Sequence, residues 1–554
     1  VDYGGFSTFC LDGSAFMVDA MAMNSVRVTS KPVRAARGRS RLFVWAPAAL
    51  VLITLLVSPF GYDYYSGKLG LIGAQPEITQ TQTGRVIKVP PGGNLQGALE
   101  KAESGDIIEL QAGAVYAGQI NLPNKPLTDF VTIRSSAAAD LSEEKRVKPS
   151  QRSSMATITS GMLGRAAVQA SNGAHHYRFV GIEFVSTGSL FNYGLVVLGN
   201  GEKRPDDVPH TIEIDRSYFH PHKLGRSRRA IALNSANTTI KNSYIEGFAV
   251  AGEEGQGICG WTGSRKIRIL NNYIEGGAEN IMFGGADPPN ADLIPTDIEI
   301  RGNHLTKPQS WAKTMTIKNL FELKNAKRVS FTGNYLENNW IGSALRITVR
   351  NQDGGAPFST IEDVIIRDNI IKNAGDGINI LGKDDAHPSQ TLRRLTIENN
   401  LLLDIGGTNV IEGSGYFVLV SDGEDITIIN NTAFNQGNIA TFHGVTPRGF
   451  VFRNNITGHG SYGIHGITDG IRSQLARSFF QNNVFINNQR VPESDYSFPA
   501  GNFLVSDLGS IGFNDPGRND YSLASNSRFK GKGPDKTDIG CNPTQLPLDI
   551  LSLR

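Results

Sequence analysis

Asparagine returns at nearly fixed intervals along the second half of this chain, each time just after a short β-type run. It stands at Asn271 or Asn272 in ILNNYIEGG, Asn303 in IRGNHL, Asn334 in FTGNYLENN and Asn369 in IRDNIIKN. It continues at Asn400 in IENNLLLDI, Asn431 in IINNTAFN, Asn455 in FRNNITGHG and Asn483 in FQNNVFINN. The steps run from about 24 to 35 residues, several of them about 31, and a fixed period of this length is the mark of stacked repeats. Within a repeat, Ile365, Arg367 and Asn369 alternate with Val364, Ile366 and Asp368. That is period two, which specifies strand rather than helix. Between Lys241 and Asn488 almost no run has helical periodicity.

One short-stranded coil per repeat predicts an all-β fold: a single-stranded right-handed parallel β-helix, with coils stacked at about 4.8 Å. The asparagine is expected at the bend, where its backbone tolerates left-handed geometry and its amide can join a ladder. TIKNSYIEG (239–247), IEIDRSYFH (212–220), YRFVGIEFV (177–185) and VTIRSS (131–136) extend the series upstream, to roughly twelve to fourteen coils. NLQGALEKAESGDIIELQAGAVY (94–116) opens as an amphipathic helix with Leu95, Ala98 and Leu99 on one face, suited to cap the first coil.

That phrase, and the ending YSLASNSRFKGKGPDKTDIG (521–540), resemble the opening and closing phrases of secreted right-handed β-helix proteins of the pectate-lyase-like superfamily. The resemblance covers about residues 86–546. It implies the fold, but the superfamily holds lyases, hydrolases, epimerases, esterases and non-catalytic adhesins, so the activity must come from the site.

The formal charge of +2 implies no nucleic-acid partner. It conceals a basic stretch, Arg27, Lys31, Arg34, Arg37, Arg39 and Arg41, ahead of the uncharged run Leu42–Phe60. That run is just long enough to span a bilayer, and the basic flank would keep the N-terminus in the cytoplasm. The expected organisation is therefore a basic segment (1–41), a signal-anchor or cleaved signal (42–60), a linker (61–85), the β-helix (86–546) and a tail (547–554). The chain opens on Val, so Met21 or Met23 is an alternative start, and residues 1–22 are expected to be disordered or untranslated. The β-helix would then lie outside the cytoplasm, anchored to the membrane or secreted, as a monomer facing an extracellular polysaccharide. Cys10, Cys259 and Cys541 are too scattered to make a disulfide framework.

The stretch from Glu279 to Gln352, with Asn379 on the next coil, departs from bland repeat composition. Period two places Glu322 and Lys324 on one strand face, with Phe321 and Leu323 inward. On the following coil, Arg346, Thr348 and Arg350 face one way and Leu345, Ile347 and Val349 the other. Lys324 and one of these arginines are expected to be neighbours. The preceding coil offers Glu279, Asn280 and Asp287, the last in a proline-stiffened loop. His304, Trp311, Trp340, Asn351, Gln352 and Asn379 complete a candidate sugar-binding set around them.

Eliminating a uronate needs a base for the proton α to the carboxylate, a cation to stabilise the enolate-like intermediate, and a proton for the leaving oxygen. Lysine or arginine often serves as base in β-helix lyases, with Ca²⁺ held by acidic residues. On this reading Lys324 or Arg350 is the base, with Glu322 beside it, and Glu279, Asp287 and Glu322 hold a cation such as Ca²⁺. Two alternatives stand beside the polysaccharide lyase. One is a non-catalytic carbohydrate-binding or structural solenoid, in which Glu322–Lys324 is an ordinary ion pair. The other is a glycoside hydrolase with carboxylates drawn from Glu279, Asp287 and Glu322.

Gly458-His459-Gly460 and Asp384-Asp385 are similar to short polygalacturonase motifs. That family's Asn-Thr-Asp and Arg-Ile-Lys segments are missing, so Gly458–Gly460 reads as a turn. The pectate lyase pattern Arg-x-Pro-x-x-Arg is also absent. His220, His222, His443 and His465 read as solvent-facing, and His175-His176 as an exposed turn. GRSRR (225–229) reads as a solvated loop, with contact to a carboxylated glycan as its alternative.

Overall fold

The computed structural model describes residues 84–548 apart from 161–163, 190, 224, 467–477 and 493–497. The expected basic segment, the membrane span at 42–60 and most of the linker lie outside the described residues. Among the described residues no helix is long and apolar enough to cross a membrane.

Strand pairing makes the chain a parallel β-helix, the fold the resemblance implies. One 14-stranded sheet runs from Val86–Val89 to Ser478–Gln481, and each strand pairs in parallel with its counterpart on the next coil. This gives 14 coils among the described residues. Ile267, Ile298, Val329, Val364, Leu395 and Ile426 stand in one register column, all at or near zero exposure. Branched side chains repeated at one register position stack into a continuous core. A second sheet of 24 strands forms the remaining faces, and its outer surface carries the site described below.

The asparagine ladder exists, with a division of labour that period alone does not reveal. Asn272 Nδ2 donates to Asn303 Oδ1 at 3.0 Å, Asn303 to Asn334 at 3.0 Å and Asn334 to Asn369 at 3.0 Å. The chain of bonds continues through Asn400, Asn431, Asn455 and Asn483 to Asn502. Each Oδ1 also accepts the backbone N–H of the preceding ladder residue, as Asn334 does from Asn303 at 3.0 Å. From Asn272 to Asn483 these amides are buried and do not occupy the left-handed region. The residue before each one does: Asn271, Gly302, Gly333, Asp368, Asn399, Asn430, Asn454 and Asn482 all have φ between 52° and 68°. The expected bend geometry therefore belongs to the neighbour, where Gly, Asn and Asp cost least.

The N-terminal helix is Leu95–Lys101, capped by Asn94, whose side chain accepts from Gly97 N–H. Leu95, Ala98 and Leu99 are its buried face and join the core. Lys125 Nζ satisfies the carbonyls at the other end, Leu99 at 2.9 Å and Glu100 at 3.2 Å. At the far end Cys541 and Leu546 pack on Tyr335, Ile370, Leu401 and Leu403. Cys259 and Cys541 are both buried free thiols.

Two histidine expectations are corrected. His175 opens the strand His175–Val180 and stacks on His210 at 4.7 Å, so His175-His176 is not an exposed turn. His220 is drawn into a buried cluster by Glu183, at 2.9 Å, because that carboxylate is only 1% exposed and needs compensation.

Candidate functional site

Five consecutive coils of the second sheet present the strands Gln256–Gly260, Glu279–Phe283, Asn319–Leu323, Tyr335–Thr348 and Ile370–Leu381. Register pairs Met282 with Glu322, Glu322 with Arg346 and Arg346 with Asn379. A second column pairs Gln256 with Glu279 and Glu279 with Asn319. Both columns face outward because the strand bends: Leu320 and Phe321 are consecutive and both fully buried. Asn319 Nδ2 therefore reaches Glu322 Oε2, three residues on, at 2.7 Å.

Where the next column begins, a cleft of about 260 Å³ opens. Its walls include Lys318, Glu322, Lys324, Arg346, Thr348, Arg350, Gln352, Asp384 and His387. Four of these are cations, but they are not equivalent. Burial would lower the Lys318 pKa, but its contact with Glu254 and the charges of Glu279 and Glu322 together outweigh burial and raise it. Arg350 is held by Asp384 at 3.2 Å and by Asp385. Burial alone would lower the Arg350 pKa, but the two carboxylates outweigh it and raise it. An arginine held protonated in this way is a poor proton acceptor. Lys324 Nζ is 3.9 Å from Glu322 Oε1, at the edge of ion-pair contact. Among the described residues Arg346 is in no salt bridge, and its Nε is buried without a partner.

Behind the cleft the second column is dry. Gln256, Glu279 and Asn319 are at most 1% exposed. Gln256 Nε2 donates to Glu279 Oε2 at 3.0 Å. Burial first, then the carboxylates of Glu322 and Glu254, push the Glu279 pKa well above the usual carboxylate range. Three oxygens here, Gln256 Oε1, Glu279 Oε1 and Asn319 Oδ1, are buried and unpartnered. Across the strand, fully buried Lys307 donates to the carbonyls of Gly276 (2.7 Å), Gly277 (2.8 Å) and Asn319 (3.0 Å) and to Asn280 Oδ1 (2.8 Å). Burial lowers its pKa.

The cleft thus brings Glu322, Lys324, Arg346, Arg350 and Gln352 together. Asn379 lies one coil beyond them, in register with Arg346. The other expected residues are elsewhere. Asn280 turns inward, donating to Ile274 O at 2.8 Å and Thr306 O at 2.7 Å. Trp340 is fully buried and has no surface for a sugar. His304 lies on another face, paired with Glu337 at 3.0 Å and packed edge-on between Tyr273 and Tyr335. Trp311 is half-buried in a short turn, Gln309–Trp311, and does not line the cleft. Asn351 is buried and organises its loop through Asp384, Pro388 and Ala356. Asp287 Oδ2 accepts from Asp353 N–H at 3.0 Å and Gly355 N–H at 2.7 Å, so it clamps the loop over the cleft. Sequence reasoning missed Gln256, Lys307, Lys318 and His387. Only Lys318, adjacent to the Asn319–Leu323 strand, carries a local signal.

The family described as periplasmic copper-binding protein (NosD) matches residues 296–502. No curated protein matches the chain. Among solved structures, the PL6 family alginate lyase AlyGC is 14% identical with a TM-score of 0.49, covering 84% of this chain and 58% of that one. The chain thus spans less than two thirds of that enzyme's length. A mannuronic-acid-specific family 6 lyase from human gut microbiota is 11% identical, with a TM-score of 0.41 over 76% of this chain and 92% of that one. The catalytic unit of a GH87 α-1,3-glucanase from Streptomyces thermodiastaticus is 12% identical, with a TM-score of 0.43, covering 78% and 71%.

Proposed function

We propose that this chain is an extracytoplasmic polysaccharide lyase that cleaves uronate-containing glycans in the Lys318–His387 cleft. One observation carries the reading. Lys324 and Arg346, on adjacent coils, line the same open cleft, and neither is clamped by a carboxylate as Lys318 and Arg350 are. Arg346 would engage the substrate carboxylate and stabilise the charge that develops on it. Lys324 would take the proton α to that carboxylate. The electrons of the broken C–H bond form the new C=C bond as the β C–O bond breaks. The leaving oxygen takes its proton from solvent reaching the open cleft. Arg350 positions the Asp384–His387 wall and does not act as base.

The orphaned oxygens of Gln256, Glu279 and Asn319, with the Glu322 carboxylate, suit a hard cation such as Ca²⁺. Bound there, it would add positive charge behind the substrate carboxylate. Among the described residues no three or more His, Cys, Asp or Glu side chains converge on a metal; this set needs two amide oxygens beside its two carboxylates. Asp287 is outside it. Copper, named for the family matched over 296–502, has no place in this reading: that stretch has no cysteine, and its histidines are 304, 387, 443, 459 and 465.

The test is a panel of polyuronates and neutral glycans, with residues 75–554, followed by unsaturated-product absorbance and by reducing ends. Unsaturated product lost in Lys324→Ala supports the lyase. Reducing ends without unsaturation would transfer the chemistry to Glu279 and Glu322 as a hydrolase. Polyuronate binding with neither signal would make the protein a carbohydrate-binding solenoid, and a monomer in solution is expected in every case.

A further inference from the structure

The β-ladder continues one residue beyond the strands that carry the cleft. Gly284 N–H donates to Gly260 O at 2.8 Å, and Lys324 N–H to Phe283 O at 2.8 Å. Trp261, Gly284 and Lys324 therefore occupy one column on three successive coils, immediately after Gly260, Phe283 and Leu323. The middle position is bare. Gly284 has φ +93°, and a Cβ there would lie 2.9 Å from Lys324 Cβ and 2.6 Å from Asn325 N. Gly285, at φ +92°, extends the gap. The column thus presents an indole, a trough and an amine, in that order along the solenoid.

The indole is not alone. Arg229, in register with Gln256, holds its guanidinium carbon 5.0 Å from the centre of the Trp261 ring. Its Nε is buried with no partner. Trp261 N–H is fixed by Asn234 Oδ1 at 2.8 Å, which locks the backbone that carries the ring. Both side chains are half-buried. An aromatic surface beside an incompletely satisfied guanidinium matches a ring that is apolar on one face and carboxylated at its edge.

We infer that Trp261 and Arg229 form a second sugar-binding subsite, two coils N-terminal to Lys324, that takes a uronate unit of the same chain lying beyond the immediate neighbour of the unit at Lys324. The inference rests on the proposed lyase reading and adds to it a direction and a length. The polymer runs along the solenoid axis over Gly284, and fragments too short to reach from Lys324 to Trp261 gain nothing from the subsite.

The experiment is binding of hexamers and dimers of galacturonate and of mannuronate to Lys324→Ala protein, by calorimetry. The same titrations are run on Lys324→Ala carrying Trp261→Ala, Trp261→Phe or Arg229→Gln. The expected result is a Kd for the preferred hexamer raised about tenfold by Trp261→Ala and by Arg229→Gln, with dimer binding unchanged. Trp261→Phe restores most of the affinity, which separates ring stacking from a folding defect. Unchanged hexamer binding in both the Trp261→Ala and Arg229→Gln proteins would overturn the subsite while leaving the lyase reading intact. No hexamer binding to Lys324→Ala, together with no unsaturated product from the unsubstituted chain, would overturn both.

Discussion

Lys307 Nζ donates to Asn280 Oδ1 at 2.8 Å, directly across the strand from Glu279. One side of this strand buries an ammonium among carbonyls and the other a carboxylate among amides. The lysine holds the turn at 276–278 together, so removing it strands its acceptors without water. Lys307→Met is expected to cost about 3–5 kcal/mol, as breaking a buried charged network does. Thermal unfolding measures this. A melting temperature equal to that of the unsubstituted protein would show that the carbonyls find other donors.

The ladder makes a graded prediction. Asn334 accepts from Asn303 N–H and Nδ2 and donates to Ile300 O and Asn369 Oδ1. Asn334→Ala leaves two donors and two acceptors buried and should cost about 2–4 kcal/mol. Gly333→Ala, at φ 62°, should cost only about 1–2 kcal/mol of backbone strain. If the two substitutions destabilise equally in denaturant unfolding, the amide ladder is not the stronger contributor.

Glu275 supplies a pH dependence away from the cleft. Burial pushes its pKa up from 4.5 to about 7, against the opposing bonds from Tyr273 and Gly247 N–H. A carboxyl raised on folding contributes stability that is fully present below the unfolded value and lost as pH rises through the folded one. The window therefore runs from about pH 4.5 to about pH 7. Glu275→Gln should remove this slope, worth up to about 3 kcal/mol. Melting curves of the two proteins at pH 5 and pH 8 test it, and parallel losses in both would refute it.

Within the cleft, Lys324→Ala should abolish unsaturated product. Arg346→Ala should lower kcat by at least about 10²-fold, the range seen when an electrostatic partner of the developing charge is removed. Arg350→Ala should act mainly on KM, because that guanidinium is spent on Asp384 and Asp385. A kcat loss in Arg350→Ala as deep as in Lys324→Ala would reverse the assignment.

Added Ca²⁺ should raise the melting temperature of the unsubstituted protein at neutral pH and not that of Glu279→Gln. The stabilisation should grow with concentration, to about 2.7 kcal/mol at a hundred times the dissociation constant. A cation-independent melting temperature, unchanged by a chelator, would leave Glu279 as a neutral buried acid.

The repeat was legible because each ladder asparagine recurs in its own short motif. Glu322 and Lys324 were legible because period two is local. The Gln256–Glu279–Asn319 column was not, because Leu320 and Phe321 face inward in succession and so break that period. Which coil lies beside which is also set by pairing over tens of residues. Trp340 could not be told from a groove aromatic: its full burial comes from coils and loops that pack over it. Asp287 carries the acidic signature of a cation ligand, yet its Oδ2 is taken by the N–H groups of Asp353 and Gly355 in the loop over the cleft, and only its buried Oδ1 is left without a partner.

From Asn272 to Asn502 the amide column pins each coil at one corner and sets no length for the loops elsewhere on the coil. Between Asn334 and Asn369 the coil is 35 residues around; between Asn431 and Asn455 it is 24, with the same bond at 3.0 Å closing both. Loop length over the groove is thus an independent variable. The exposed loop tip 352–355 can vary in length while the buried ends of the loop stay bonded to the coils, so substrate choice can diverge among such proteins faster than the scaffold does.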